Sequence, residues 1–372
     1  MNFDFSDQQK MLKDQARKFL QDKCDYKTCR RVLEGEETHA AEVWKGLCEL
    51  GFAGAAIEEK YGGLGLGALE LCVLAEELGR AAAPVPFSSS LYLAAEALRL
   101  GGSEAQKKAW LPKLASGEAV GTWAAAEARH APTPTTIQTA FRNGKLNGTK
   151  QPVADGGDAQ CAIVLAQGDT KGKLDLVLVD LSAAGVQRKA LETIDPTRAH
   201  VALEFRDAPA ERLGGAGDGW SLYQRLESGA AVLFAFEQLG GAEAAMEMAK
   251  NYAMERYAFG RAIGSYQAVK HRLADMFVKN ELARSNAYYG AMMLSEEGPE
   301  LDLAAAAARI AASEAYRFAA QECVQLHGGI GFTWEADTQF HYRRSKLLAL
   351  NLGGPLRWKE KLVQCLERKN AA

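Results

Sequence analysis

The sequence predicts a multi-domain α+β protein in three parts: an N-terminal all-α domain over residues 1–118, a middle β domain (sandwich or barrel) over 119–214, and a C-terminal four-helix bundle over 215–372. Three observations carry this expectation. Apolar residues recur at helical spacing through about residue 115, give way to short alternating runs separated by turn dipeptides between about 120 and 210, and return to long Ala-rich helical periodicity from 221 onward. A chain of 372 residues is also long for one core, so two or three packing units are expected.

In the first part, "DQQKMLKDQARKFL" places Met11, Leu12, Ala16, Phe19 and Leu20 on one helical face, and "ALELCVLAEELGRAAA" offers a second, more buried stripe. Between them "GFAGAAIEEKYGGLGLG" reads as a glycine-rich loop; no strand pattern leads into it and no Gly-Lys-Ser/Thr follows, which argues against a phosphate cradle. The second part is punctuated by Asn-Gly and Asp-Gly-Gly turns between runs such as "CAIVLAQ" and "LDLVLVDL". The glycine-rich "RLGGAGDGW" closes it. A long helix over about 221–255 then leads to a break, followed by a helix with Val269, Leu273, Met276 and Phe277 along one stripe.

Composition narrows the function. With 48% apolar and 24% charged residues the chain is ordinary globular material, and a net charge of -3 supplies no basic field for nucleic acid. The seven cysteines (24, 29, 48, 72, 161, 323, 365) are scattered without a Cys-x-x-Cys pair, which predicts reduced thiols and a reducing compartment. The N-terminal stretch carries both charge signs, unlike a signal peptide, and no apolar run reaches membrane-spanning length, so a cytoplasmic protein without membrane or nucleic-acid partners is expected. His327 and His341 lack a third ligand at useful spacing, and no metal site is expected.

The break, "ERYAFGRAIGSYQAVKHRLADMF", is the most informative stretch. Gly260 and Gly264 are expected to end the helix, leaving uncovered backbone groups beside Arg256 and Arg261, where guanidinium forks and N–H donors can hold a phosphate; Gln267 and His271 lie one turn apart on the next helix. A plain helical hairpin with solvent-facing arginines is the competing reading.

This stretch resembles the Arg-x-x-Phe-Gly-x-x-Ile-x-x-x-Gln segment of acyl-CoA dehydrogenases, and "QLHGGIGFTWEADTQFHYRRSK" is similar to that family's Gln-x-x-Gly-Gly-x-Gly segment. The α-β-α order matches as well, and the resemblance spans nearly the whole chain. It implies an FAD-dependent oxidoreductase that dehydrogenates an acyl-CoA thioester at its α and β carbons, with electron-transfer flavoprotein as acceptor. Arg256, Phe259 and Gln267 would meet FAD, often that of a neighbouring subunit, and Gln325, Gly328 and Gly329 would approach it from the partner chain, implying a homotetramer or heterotetramer.

The implied reaction needs a carboxylate base, and here the chain departs from the family. The usual base position falls on Leu352, and the alternative position on the long helix falls on Ala230. Two glutamates of that helix are the candidates. Glu237 is preferred because Val232, Leu233, Phe234 and Phe236 surround it with apolar groups, the setting in which a carboxylate becomes a better base, although a buried glutamate paired with a bundle arginine is the plainer reading. Glu227, in "YQRLESG", reads as part of an exposed first turn. The family's Thr-Glu-x-x-x-Gly-Ser-Asp segment is replaced by "AAAEARHAPTPTT", retaining only Glu127, and its Asp-x-x-Arg falls on Ser228 and Ala231. These losses leave two other readings open: a degenerate structural subunit of a heterotetrameric acyl-CoA dehydrogenase, or a flavin monooxygenase on the same fold.

Overall fold

The computed structural model describes residues 5–127, 132–170 and 172–371. In chain order these form helices α1 (Asp7–Lys23), α2 (Tyr26–Leu33), α3 (Ala41–Glu49), α4 (Ala68–Arg80), α5 (Glu96–Gly101) and α6 (Glu104–Ser116). Strands β1 (Gly121–Ala124), β2 (Ala140–Arg142), β3 (Lys145–Ala154), β4 (Cys161–Gln167), β5 (Leu174–Asp180), β6 (Val186–Leu191), β7 (His200–Pro209) and β8 (Glu211–Leu213) follow. The last part comprises α7 (Gly219–Glu255), the hairpin strands β9 (Tyr257–Ala258) and β10 (Arg261–Ala262), α8 (Gln267–Ser295), α9 (Leu301–Leu326), α10 (Thr338–Leu350) and α11 (Pro355–Ala371). The order is the expected one: N-terminal helices, a middle sheet and C-terminal helices. In space the chain divides into a helical unit (Met1–Cys29, Ala68–Ala83, Ala231–Ala372) and a sheet unit (Arg30–Gly67, Pro84–Ala230).

In the helical unit, α1 starts at a reciprocal cap: the Ser6 hydroxyl accepts from the Gln9 N–H at 3.2 Å, and the Gln9 side chain accepts from the Ser6 N–H at 2.8 Å. Its buried face carries Gln9, Ala16 and Leu20, and Met11, expected on that face, is 72% exposed. At about 100° per residue Met11 lies roughly 200° from Gln9, so the face that meets α4 excludes it. Helices α8 and α9 pack through small residues; Ala283, Ala308, Ala312 and Ala315 form a core with Ala235 and Leu239 of α7.

Close approach is most severe between α4 and α7. A Cβ on Gly79 would lie 1.8 Å from the Glu237 carbonyl oxygen, and one on Gly240 would lie 1.8 Å from that of Glu76, so backbone touches backbone at both points. Beside this crossing sits a layer of paired charges. Glu76 and Glu77 are buried and meet Lys13, Arg17, Arg80 and Arg284, with Arg17 forking onto Glu77 at 2.7 and 2.9 Å.

The sheet unit holds an eight-stranded sheet in the order β6-β7-β3-β2-β4-β5-β8, with β1 pairing parallel to β4. Strands β2 and β3 are joined by Asn143-Gly144, both at positive φ (49° and 77°), the mirror-image turn that the Asn-Gly dipeptide signals. The fully buried Lys150 ammonium of β3 donates to Glu127 at 2.7 Å and to the Ala125 carbonyl at 3.1 Å. Burial pushes the Lys150 amine down to about 8, with Glu127 opposing the shift. The cysteines are free thiols.

Candidate functional site

Helix α7 stops at Glu255, before either glycine expected to end it, because the chain turns at once into a two-strand hairpin. Ala258 pairs with Arg261 and Tyr257 with Ala262, and the Ile263 N–H donates to the Arg256 carbonyl at 2.8 Å. The two turn residues are Phe259 (φ 52°) and Gly260 (φ 83°), the same mirror-image turn type as Asn143-Gly144. A phenylalanine at positive φ is strained by about 1–2 kcal/mol, and here its ring is also 97% exposed. No contact among the described residues offsets either cost.

Arg256 and Gln267 are exposed on the same segment, and Arg256 has no ion-pair partner among the described residues. Arg261 differs: its guanidinium lies over the Tyr266 ring at 4.0 Å. Gln325 occupies the end of α9, and Gly328 and Gly329 open the short 3-10 turn that follows; none of the three is buried.

Hairpin and glycine turn lie side by side on one chain. Tyr252, one turn before Arg256, stacks on His327, the residue before Gly328, at 4.1 Å between ring centroids. Within one chain the arginine elbow and the glycine bend are therefore neighbours. Both elements present bare backbone: a Cβ at Gly260, Gly328 or Gly329 would meet nothing within 4 Å. Positive φ accounts for glycine at 260 and 328, but at 329 neither backbone conformation nor crowding requires it. An exposed arginine near glycine backbone with space where a side chain would stand suits the pyrophosphate of a dinucleotide such as FAD.

The two candidate bases have different surroundings. Glu237 is buried in the helical unit with Oε1 3.8 Å from Nη1 of Arg344, which is itself 1% exposed and donates to the Ala82 and Ala83 carbonyls at 3.2 Å. "HYRRSK" therefore contributes less surface charge than its sequence suggests, because Arg344 is turned inward. Nearby Arg309 donates to the Gln238 side chain at 2.5 Å and to the Asn351 carbonyl at 2.7 Å; burial pushes it down to about 9, and Glu237 opposes the shift.

Glu227 lies in the sheet unit and is 2% exposed. The expected exposed first turn is thus corrected: α7 begins at Gly219, which puts Glu227 beyond its first turns, packed with Tyr223. The Tyr223 hydroxyl donates to Glu227 Oε1 at 2.5 Å. Tyr223 in turn stacks with Trp220 (centroids 4.9 Å, 13° between planes) and with Trp123 of β1 (5.8 Å, 18°). Sequence reading missed this arrangement, although the i, i+4 spacing of Tyr223 and Glu227 is a signal for it.

Leu352 sits in the turn between α10 and α11 at φ 59°, and its carbonyl accepts from Arg357 at 2.8 Å; Ala230 is buried. Glu127, retained from the family segment, accepts from the Gln138 and Thr139 N–H groups as well as from Lys150, so it is fully engaged in the sheet unit. Residues 128–131 of that segment lie outside the described residues.

His341 is buried between two phenols, 2.8 Å from the Tyr26 hydroxyl and 2.9 Å from that of Tyr316. Burial, reinforced by Arg344 and Arg80, pushes its imidazole down to about 3. It is a structural linker of α10 to α9 and the start of α2.

The family model "Acyl-CoA dehydrogenase, N-terminal domain" matches residues 6–118, and "Acyl-CoA dehydrogenase, C-terminal domain" matches residues 217–354. The chain is also 31% identical over 328 residues to acyl-CoA dehydrogenase IpdE2 of Mycobacterium tuberculosis, covering 88% of this chain and 87% of that one. This chain belongs to the acyl-CoA dehydrogenase family. Its activity class is that of the acyl-CoA dehydrogenases, flavoprotein oxidoreductases that act on acyl-CoA thioesters. Among solved structures, butyryl-CoA dehydrogenase from Megasphaera elsdenii superposes with a TM-score of 0.91 at 27% identity, over 98% of this chain and 100% of that one. The ChsE4-ChsE5 complex of Mycobacterium tuberculosis gives 0.90 at 28% identity, over 99% of both chains. Among the described residues no helix of this acyl-CoA dehydrogenase is long and apolar enough to cross a membrane.

Proposed function

We propose that this acyl-CoA dehydrogenase holds FAD with Arg256, Phe259, Gln267, Gln325, Gly328 and Gly329, in an oligomer whose protomers lend these residues to one another's cofactor, and passes its electrons to an electron-transfer flavoprotein. The observation that carries the reading is the pairing, on one exposed surface, of the strained Phe259-Gly260 hairpin with the bare Gly328-Gly329 turn, joined by the Tyr252–His327 stack. FAD, when bound, supplies the hydride acceptor. The chain's own task is to remove the α-proton, and we assign that to Glu227. Glu237 is already engaged as the counter-charge of Arg344, whereas Glu227, near the start of the same helix, is held by the Tyr223 hydroxyl through one of its two carboxylate oxygens.

The test is anaerobic addition of acyl-CoA esters to the purified yellow protein. Bleaching of the flavin is expected in the wild type, with Glu227→Gln retaining FAD and failing to bleach. Bleaching at the wild-type rate in Glu227→Gln removes that residue from the mechanism, and a colourless protein that does not take up added FAD overturns the whole reading.

A second reading rests on the count from the family motifs, which puts the family's base positions at Leu352 and Ala230, and on the arginine that holds Glu237. A chain so equipped suits the non-catalytic partner of a mixed tetramer. In that case the chain expressed alone is poorly flavinated, and co-expression with an acyl-CoA dehydrogenase that carries an intact glutamate restores both flavin and turnover.

A further inference from the structure

We propose that Tyr223 is a positioning residue for the Glu227 carboxylate, an inference that rests on reading Glu227 as the base. Its hydroxyl donates to Glu227 Oε1 at 2.5 Å from one helical turn away, and both residues are buried. The phenol ring is restrained by near-parallel contacts with two indoles, Trp220 on the same helix and Trp123 on β1. The two indoles are themselves only partly buried, so the stack spends aromatic surface on fixing one hydroxyl rather than on filling the core.

The chemical consequence follows from geometry. A glutamate has three side-chain torsions, and a base must present its lone pair along the α-C–H bond within a fraction of an ångström to act efficiently. A clamped donor on one oxygen removes most of that rotational freedom. In the step itself the α-C–H bond breaks, its proton goes to the Glu227 carboxylate, and the electron pair passes into the thioester as an enolate. With no oxidised acceptor present the enolate can only take a proton back, so the step is visible as isotope exchange.

That defines the experiment. Flavin-loaded protein is reduced anaerobically, mixed with butyryl-CoA in deuterated water, and loss of the α-hydrogen signal is followed by NMR, while butyryl-CoA affinity is measured by calorimetry. For Tyr223→Phe, which keeps the stacked ring, exchange is expected to slow about tenfold or more, the worth of a hydrogen bond to a charged group, with affinity within about twofold of wild type. Glu227→Gln is expected to abolish exchange. Undiminished exchange in Tyr223→Phe with none in Glu227→Gln overturns the positioning role and leaves the base standing. A loss of affinity in Tyr223→Phe as large as the loss of rate means that the stack only shapes the pocket, and the positioning role fails. Exchange at the wild-type rate in Glu227→Gln, or no exchange in the wild type, overturns the base and the proposal together.

Discussion

Replacing Glu237 by glutamine separates a buried counter-charge from a catalytic carboxylate. Glu237 Oε1 lies 3.8 Å from Arg344 Nη1, and both side chains are under 5% exposed. At an effective dielectric of about 20 the attraction is about 332/(20 × 3.8), or roughly 4 kcal/mol. Arg344 keeps the Ala82 and Ala83 carbonyls, so part of its hydrogen bonding survives, and a net cost of about 3 kcal/mol is expected, at the lower edge of the range for breaking a buried pair. Arg309 loses the same carboxylate and adds to the cost. Urea unfolding followed by circular dichroism should show the midpoint falling by that energy divided by the m-value. In native conditions the acyl-CoA-dependent bleaching rate should stay within about twofold of wild type. An unmoved midpoint together with lost bleaching and retained flavin would mean that Glu237 is the base and that its pairing with Arg344 contributes nothing to the fold.

Three other perturbations have signs set by the structure. His341 is pushed down to about 3 from an ordinary value of 6.5, so the unfolded chain binds the extra proton between those limits: stability is full above pH 6.5 and falls as pH drops toward 3, by up to about 1.4 kcal/mol per unit, a slope that His341→Gln should flatten in urea midpoints taken across that window. Gly240→Ala inserts a methyl 1.8 Å from the Glu76 carbonyl oxygen and must push α4 and α7 apart, at a cost of about 3 kcal/mol in the same assay; a change below about 0.5 kcal/mol would refute the close crossing. Gly329→Ala meets nothing within 4 Å and should leave the urea midpoint of the flavin-free protein unchanged while lowering the flavin-to-protein absorbance ratio several-fold; full flavin content would remove that backbone from the cofactor site.

The candidate site was legible in unequal parts. Arg256, Phe259, Gln267, Gln325, Gly328 and Gly329 belong to two contiguous motifs, so the sequence could name them before any coordinates. Contiguity is what made them readable: local backbone rules fix a hairpin or a glycine turn, and those rules act over a few residues. The surroundings of the two candidate bases were not readable in this way. Glu237 and Glu227 sit ten residues apart on one helix, and local pattern ranked the apolar-flanked one first. Phe277 shows the same limit: it was expected along the buried stripe of α8 and is 55% exposed on this chain, because the buried face of that helix is centred on Met276 and Ala283 instead.

By itself the sequence determined the α, β, α order, the break in the helices around Phe259-Gly260, and the family, since periodicity, turn chemistry and contiguous motifs are all written in neighbouring residues. Tertiary structure alone decided that Arg344, far from Glu237 along the chain, turns inward to meet it, and that Trp123 of a strand closes the stack that holds Tyr223 against Glu227. The reason is physical: the ionic and hydrogen-bonding state of a buried carboxylate depends on which distant groups enter its low-dielectric surroundings, and only the packing of the chain brings them there.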